Sequence, residues 1–289
     1  MGIKGLSNFL KKQCNQVFVT VPDIARYSGK RFAIDVSIFM YKFAYGRASN
    51  TFDFLNQFIQ QHKSLKLCNI EAIYIFDGEH IGKENTHEER AVAKGKAEAS
   101  RDTKIEVLQK SLDEHVNDPV ASLSISSEIY RLQHSVITIT KQHYVVLQQL
   151  FQEHNIPYHI AAGEAEKGCA DLCVNGGADV VVTEDYDALV CGAPVVLKNL
   201  GSSNKPMIEI QLNNVLGALQ LTYAQFVDFC ILCGSDFNPS LPKIGPVTAY
   251  KHIKRHFCIE NILLATGYNT NEEVLKTFKY QLARSNFIS

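Results

Sequence analysis

The sequence predicts an α/β fold: a central, mostly parallel sheet with helices on both faces. Three observations carry this. RFAID, EAIYIFDG and DVVVTED read as buried strands, and each ends in acid, at Asp35, Asp77 and Asp185. Helical patterns lie between and after them, and strands alternating with helices imply parallel pairing. Ligands of such sheets bind beyond the carboxyl ends of the strands, so three strands ending in Asp aim three carboxylates at one crevice.

Composition narrows the classes. The 289 residues are 46% hydrophobic, enough for a full core. The net charge of −1 excludes a wholesale basic coat, so any grip on nucleic acid needs a local patch. No run of 18 apolar residues occurs, so no membrane span is expected. MGIKGLSNFLKK lacks the apolar core of a signal peptide, and Leu6 stands where a myristoylation signal needs Ser or Thr. The eight cysteines sit mostly inside apolar runs and read as reduced thiols of an intracellular protein. Cys169 with Cys173, and Cys230 with Cys233, fall on helix faces that read as core; a zinc site is the minor alternative.

The elements follow in order. Residues 79–143 form an insertion too long to be structureless. Lys83, Arg90, Lys94 and Arg101 are spaced 7, 4 and 7 apart. On a helix they fall within roughly 40° of one line, a basic stripe. Gly95 weakens that helix and Asn117-Asp118-Pro119 breaks it; a second helical stretch runs to about Lys141. In AGEAEKGCADLCVNGG, the spacing of Ala165, Cys169, Leu172 and Cys173 gives a helix face, Asn175-Gly176-Gly177 a stop, and Glu164 and Glu166 the first turn. VVVTEDYDALVCG drives Glu184, Asp185 and Asp187 to the tip of a strand, where they repel unless a cation lies between them. In TYAQFVDFCILCG, Thr222 and Gln225 make a capping box, Phe226, Phe229, Cys230 and Cys233 a buried face, and Gly234 a stop just before Asp236. In PSLPKIGPVTAYKHIKRH, Gly245 supplies a tight turn and Pro246 opens a helix carrying Lys251, Lys254 and Arg255. Such an N-terminus can hold a phosphate. Residues 265–289 are weakly patterned.

The acids collected are Asp35, Asp77, Glu164, Glu166, Asp185, Asp187 and Asp236. An all-oxygen donor set suits hard cations such as Mg²⁺ or Mn²⁺. Seven acids exceed what one hydrated ion needs, and two ions about 4 Å apart account for them. Such a pair serves in-line phosphoryl displacement, with the basic stripe and the turn–helix near Gly245 reading a polymeric phosphate by shape. A DxD-type transferase or phosphohydrolase built on Asp185 and Asp187 would leave five acids unexplained; a non-catalytic DNA-junction binder would not need the full set.

With these residues assembled, the chain resembles the flap endonuclease (XPG-type 5′-nuclease) family. MGIKGL, AIDVS, YIFDG, GEAEKGCA, VVTEDYDAL and ILCGSDF resemble its motifs in order, as do TKQH, NIPY and IGP with its basic helix, covering residues 1 to about 260. The resemblance implies a PIN-like nuclease fold in one nuclease domain over 1–289: an N-terminal region 1–100, a helical arch at 79–143, an internal region 144–260 with a helix-two-turn-helix at about 236–256, and an extension 261–289. It implies a structure-selective, Mg²⁺-dependent phosphodiesterase of replication, repair or recombination. The substrate would be branched or nicked double-stranded DNA, cut near junctions such as 5′ flaps. Asp35, Asp77, Glu164 and Glu166 would serve one ion, and Glu166, Asp185, Asp187 and Asp236 the other. Lys83 and Arg90 match catalytic arch cations, Tyr41 a base-stacking aromatic, and Gly2 a residue bordering the site. Lys94, Arg101, Lys243, Gly245, Lys251, Lys254 and Arg255 join the DNA-binding set. Carbonyls of Ser240, Leu241 and Ile244 match a monovalent-cation (K⁺) site. Lys243 stands where the family usually has Gly. QLARSNFIS matches a sliding-clamp motif poorly, with Arg284 at the aliphatic anchor position. A monomer is expected, in the nucleus, or at a cytoplasmic replication site if virus-encoded.

Overall fold

The structure is a computed structural model and describes residues 2–47, 52–78, 84–115, 118–133, 139–235 and 238–288, with the backbone alone at 46–47, 84–94, 96–98, 133 and 273. The chain forms two compact units. One comprises Met1–Ser37, Gln61–Gly82 and Pro157–Ser289; the other comprises Ile38–Gln60 and Lys83–Ile156. No single helix among the described residues is long and apolar enough to cross a membrane.

The first unit opens with α1 (Leu6–Gln13), β1 (Val19–Val21) and β2 (Arg31–Asp35). Helices α2 (Val36–Arg47) and α3 (Asn56–Leu67) run on from β2 and into β3 (Glu71–Phe76). The second unit adds α4 (Glu84–Glu114), α5 (Pro119–Gln133) and α6 (Lys141–Glu153). The first unit resumes with β4 (Tyr158–Ile160), α7 (Ala165–Val174), β5 (Val180–Val182), α8 (Asp187–Val190), β6 (Val195–Lys198) and β7 (Met207–Gln211). It closes with α9 (Leu212–Leu219), α10 (Tyr223–Cys233), α11 (Pro246–His256), α12 (Ile259–Thr266), α13 (Glu272–Thr277) and α14 (Tyr280–Phe287).

The seven strands run in the order β1-β7-β6-β5-β2-β3-β4. From β4 through β6 every pair is parallel, and β7 is antiparallel to both β6 and β1. From β2 the chain builds β3 and β4 on one side, then returns to lay β5 and β6 on the other. That reversal beside β2 is a topological switch point, where the carboxyl ends of neighbouring strands open a crevice. Phe32, Ala33 and Ile34 are consecutive and fully buried, so β2 is covered on both faces. Ala33, Ile75, Val181, Val196 and Ile210 continue one face into a core shared with α1, α7 and α10.

Most helix boundaries follow their sequence signals. Thr222 and Gln225 form the capping box of α10, and Gly234 ends it with φ 89°. Every residue from Phe226 to Cys233 is buried, so α10 is enclosed on all sides and not only along the expected stripe. Asp118 accepts the Val120 and Ala121 N–H groups, which explains the break and restart at Pro119. The second insertion helix ends at Gln133 among the described residues, and Lys141 instead begins α6, capped by Thr140 and His143. Gly245 is an extended N-cap with φ −104°; the left-handed residue of that turn is Lys243, with φ 60°. The weakly patterned tail is helical. Val274, Phe278, Ala283 and Phe287 are core residues, and Arg284 reaches the buried carboxylate of Asp228 on α10 at 2.7 Å and Glu260 on α12 at 2.9 Å. An aliphatic side chain could not answer Asp228 there.

Candidate metal centre

The described acids converge on the switch point in the first unit, and Asp35, Asp77, Asp185 and Asp187 are each held there by hydrogen bonds. Asp35, at the end of β2, is fully buried and accepts the Ser37 N–H at 3.0 Å and the Thr183 hydroxyl at 3.1 Å. Ser37 also donates its hydroxyl to Asp77, just past β3. Asp77 accepts the Ala165 N–H at 2.8 Å, which joins it to the start of α7. A carboxylate there meets the positive end of the helix. Gly78 allows the close approach behind it, since a Cβ would stand 1.9 Å from the Ala161 carbonyl oxygen. Glu164 is the N-cap residue of α7 and Glu166 lies in its first turn.

Beyond β5, the Asp187 N–H donates to Asp185 at 3.2 Å, and the Ile3 N–H donates to Asp187 at 3.0 Å. The N-terminal segment is thereby laid across the acidic turn, and Lys4 N–H fixes it further on the Gly234 carbonyl at 2.9 Å. At Gly2 a Cβ would stand 2.3 Å from one Asp185 oxygen and 2.6 Å from one of Asp187. Glu184 parts company with its neighbours: its carboxylate accepts the Asn199 N–H at 2.7 Å, on the other side of the turn.

Burial and the nearby charges of Asp185 and Glu166 push the Asp187 carboxyl well above the usual carboxylate range, partly offset by the Ile3 N–H. Asp35, Glu166 and Asp77 add to burial in raising the Cys169 thiol beneath them. Negative charge is therefore in excess at this point. Among the described residues no three candidate ligands are drawn tightly enough together to hold an ion by themselves. The donors are nonetheless all oxygen, crowded at one crevice and short of positive charge, which fits hard divalent cations. Cys169, Cys173, Cys230 and Cys233 are buried in the core, and burial raises all four thiols.

Other expected site residues divide. Asp236 and Lys83 lie outside the described residues, as do the side chains of Arg90 and Lys94. Arg101 pairs with Asp102 at 2.6 Å, so its charge is partly answered on its own helix. Tyr41 is 46% exposed on α2. Lys243, Lys251 and Arg255 are exposed. Lys254 donates to the Gln220 carbonyl at 3.1 Å and so caps the end of α9. Leu241 and Ile244 are buried, and the Leu241 carbonyl already accepts the Ile244 N–H at 3.1 Å. Sequence reasoning missed Ser37 and Thr183, which orient Asp35 and Asp77. Their only signal is position, each two residues from an acid at a strand end.

The chain matches the XPG N-terminal domain over residues 1–98 and the XPG I-region over residues 155–236. It is 31% identical over 301 residues to flap endonuclease 1 of Enterocytozoon bieneusi, covering 100% of this chain and 78% of that one. It is 30% identical over 293 residues to flap endonuclease 1 of Phytophthora infestans, covering 95% and 72%. A probable RAD2-like endonuclease of invertebrate iridescent virus 3 is 28% identical, covering 96% and 85%. The catalytic core of Rad2 in complex with DNA substrate shares the fold with TM-score 0.65 at 19% identity, covering 98% and 79%. Flap endonuclease-1 from Methanococcus jannaschii does so with TM-score 0.64 at 22% identity, covering 94% and 83%. The class so defined is the structure-selective DNA nucleases with a PIN-like sheet. Within it, the chain belongs to the flap endonuclease (XPG-type) family.

Proposed function

We propose that this nuclease is a Mg²⁺-dependent 5′ flap endonuclease and 5′-exonuclease that works by a two-ion mechanism, with Mn²⁺ able to replace Mg²⁺. It hydrolyses phosphodiester bonds near single-strand/double-strand junctions. The observation that supports this best is the shared hydrogen bonding of Asp35, Asp77, Asp185 and Asp187 at the switch point, with Gly2 backed against the last two. Asp35, Asp77, Glu164 and Glu166 would hold one ion, and Glu166, Asp185, Asp187 and Asp236 the second. Bound divalent ions supply an activated water and offset the charge of the leaving oxygen.

The chain's own residues do the rest. Ser37 and Thr183 orient carboxylates toward the crevice. Lys83 and Arg90 would offset charge at the scissile phosphate, and Tyr41 would stack on a base near the cut. Carbonyls of the Ser240–Ile244 turn would hold K⁺, and that turn with the exposed Lys243, Lys251 and Arg255 would grip duplex backbone. The enzyme acts as a monomer on branched or nicked DNA in the nucleus, or at a cytoplasmic replication site if virus-encoded. No sliding-clamp contact is assigned to residues 281–289, since Ala283 and Phe287 are buried in the core.

Single-turnover cleavage of a 5′-flap duplex tests this. Wild type is expected to cut with Mg²⁺ and not with excess chelator. Asp187→Asn is expected to lose roughly 10³-fold in rate, the upper scale for removing one transition-state stabiliser, while still binding the duplex. Cleavage by Asp187→Asn at the wild-type rate would overturn the assignment.

A further inference from the structure

We propose that Lys198 is a positioning residue for divalent-metal binding, stapling the Glu184–Asp187 turn to the end of β6 so that Asp185 and Asp187 present their carboxylates to the crevice. The inference rests on the metal reading of those two acids.

The staple has three independent attachments. The Lys198 ammonium donates to the backbone carbonyl of Glu184. It also sits 4.0 Å above the centre of the Tyr186 ring, a cation–π contact. The next residue, Asn199, donates its N–H to the Glu184 carboxylate at 2.7 Å. Asn199 does so from a left-handed conformation, φ 62°, and its own amide is fixed on the Pro206 carbonyl at 2.8 Å. Glu184 is thus gripped by main chain and side chain, and Tyr186, two positions on, by the face of its ring.

The turn has no slack on its other side. Phe18 meets the Tyr186 ring edge-on at 6.3 Å. Asp185 and Asp187 alternate with the two held residues, so displacing Glu184 or Tyr186 displaces both carboxylates. Lys198 is half-buried, and Glu184 and Asp185 favour its charge while Lys11 and Lys205 oppose it. Burial outweighs these and brings its pKa down to about 8. Its ammonium is directed at the Glu184 carbonyl and the Tyr186 ring. Groups that orient metal ligands without touching the ion commonly set affinity by about 10- to 100-fold.

The test measures Mn²⁺ binding by calorimetry to the full chain without DNA, for wild type, Lys198→Met, Lys198→Arg and Asp187→Asn. Lys198→Met keeps the stem and loses the ammonium; it is expected to bind Mn²⁺ about 10-fold more weakly. The Mg²⁺ half-saturation for cleavage should rise by the same factor, while the rate at saturating Mg²⁺ recovers to within about 3-fold of wild type, a recovery general damage to the fold would not show. Lys198→Arg, which keeps a cation able to stack on Tyr186, is expected to restore most of the affinity. Should Lys198→Met not fold, Tyr186→Leu, which removes the ring face, takes its place under the same criterion. Wild-type Mn²⁺ affinity in Lys198→Met, or no restoration by arginine, would overturn the proposal. Wild-type affinity in Asp187→Asn would instead overturn the metal reading beneath it.

Discussion

Gly2 and Asp187 constrain one another, and the consequences are measurable one residue at a time. A methyl group at Gly2 would overlap the carboxylates of both Asp185 and Asp187. Gly2→Ala is therefore expected to slow single-turnover cleavage by roughly 10²-fold, the scale of a small misplacement at a reacting centre. The melting temperature should barely move, because Gly2 contributes no side chain to the core. An unchanged rate would show that the segment has room to shift. For Asp187 the sign follows from its raised pKa. A carboxyl whose pKa is higher folded than unfolded destabilises the fold when ionised. The penalty is absent below the ordinary carboxylate range. It grows as pH rises toward the folded pKa and is complete above it. Asp187→Asn removes it, so in chelator the variant is expected to melt above wild type at neutral pH, the gap closing in acid. Mn²⁺ should raise the wild-type melting temperature by more than that of the variant, which keeps the donors of only one ion. A variant that melts lower than wild type in chelator would contradict this electrostatic account.

At the scale of elements, the helices most readable in the sequence carry their own signals. The capping box of α10 and the opening proline of α11 are local chemistry, legible without knowing what packs where. The tail lacks such signals, because α13 and α14 become core only through contacts with residues far away in sequence. Arg284 is the clearest case. Its partner Asp228 lies 56 positions earlier and also accepts the Ile259 N–H at the start of α12. Burial raises the Asp228 carboxyl despite these bonds, whereas Arg284 draws Glu260 below its ordinary value. Arg284→Leu would strand a buried carboxylate. With Arg284 about a third exposed, the loss in denaturant unfolding is expected to be on the order of 2–4 kcal/mol. A loss below about 0.5 kcal/mol would mean the pair behaves as a surface ion pair. The turn before α11 makes the opposite case. Lys243 holds a left-handed backbone that favours glycine, so Lys243→Gly is expected to stabilise the fold by about 1 kcal/mol. It should also weaken duplex binding and lower the salt slope by about one unit. Stabilisation with unchanged binding would remove Lys243 from the DNA surface.

For the whole molecule, a net charge of −1 means that DNA affinity comes from local cations and not from overall attraction. Binding is still expected to fall on the order of 10³-fold between about 50 and 200 mM salt; a flat response would rule out backbone-driven recognition. The parallel sheet and the crevice at its carboxyl ends were legible because each central strand is an apolar run stopped by an acid; the strand order that puts a switch point there was not. The separation of Glu184 from Asp185 was not, since only the Asn199 N–H across the turn decides it. Nor could sequence show Ser37 joining Asp35 to Asp77, a bond that exists only once β2 and β3 lie side by side. The most direct measurement is the count of Mn²⁺ ions bound per chain on an uncleavable 5′-flap duplex, by electron paramagnetic resonance titration. About two ions are expected for the wild type and fewer for Asp35→Asn and Asp187→Asn. One ion or none in the wild type, or an unchanged count in both variants, would contradict the two-ion centre.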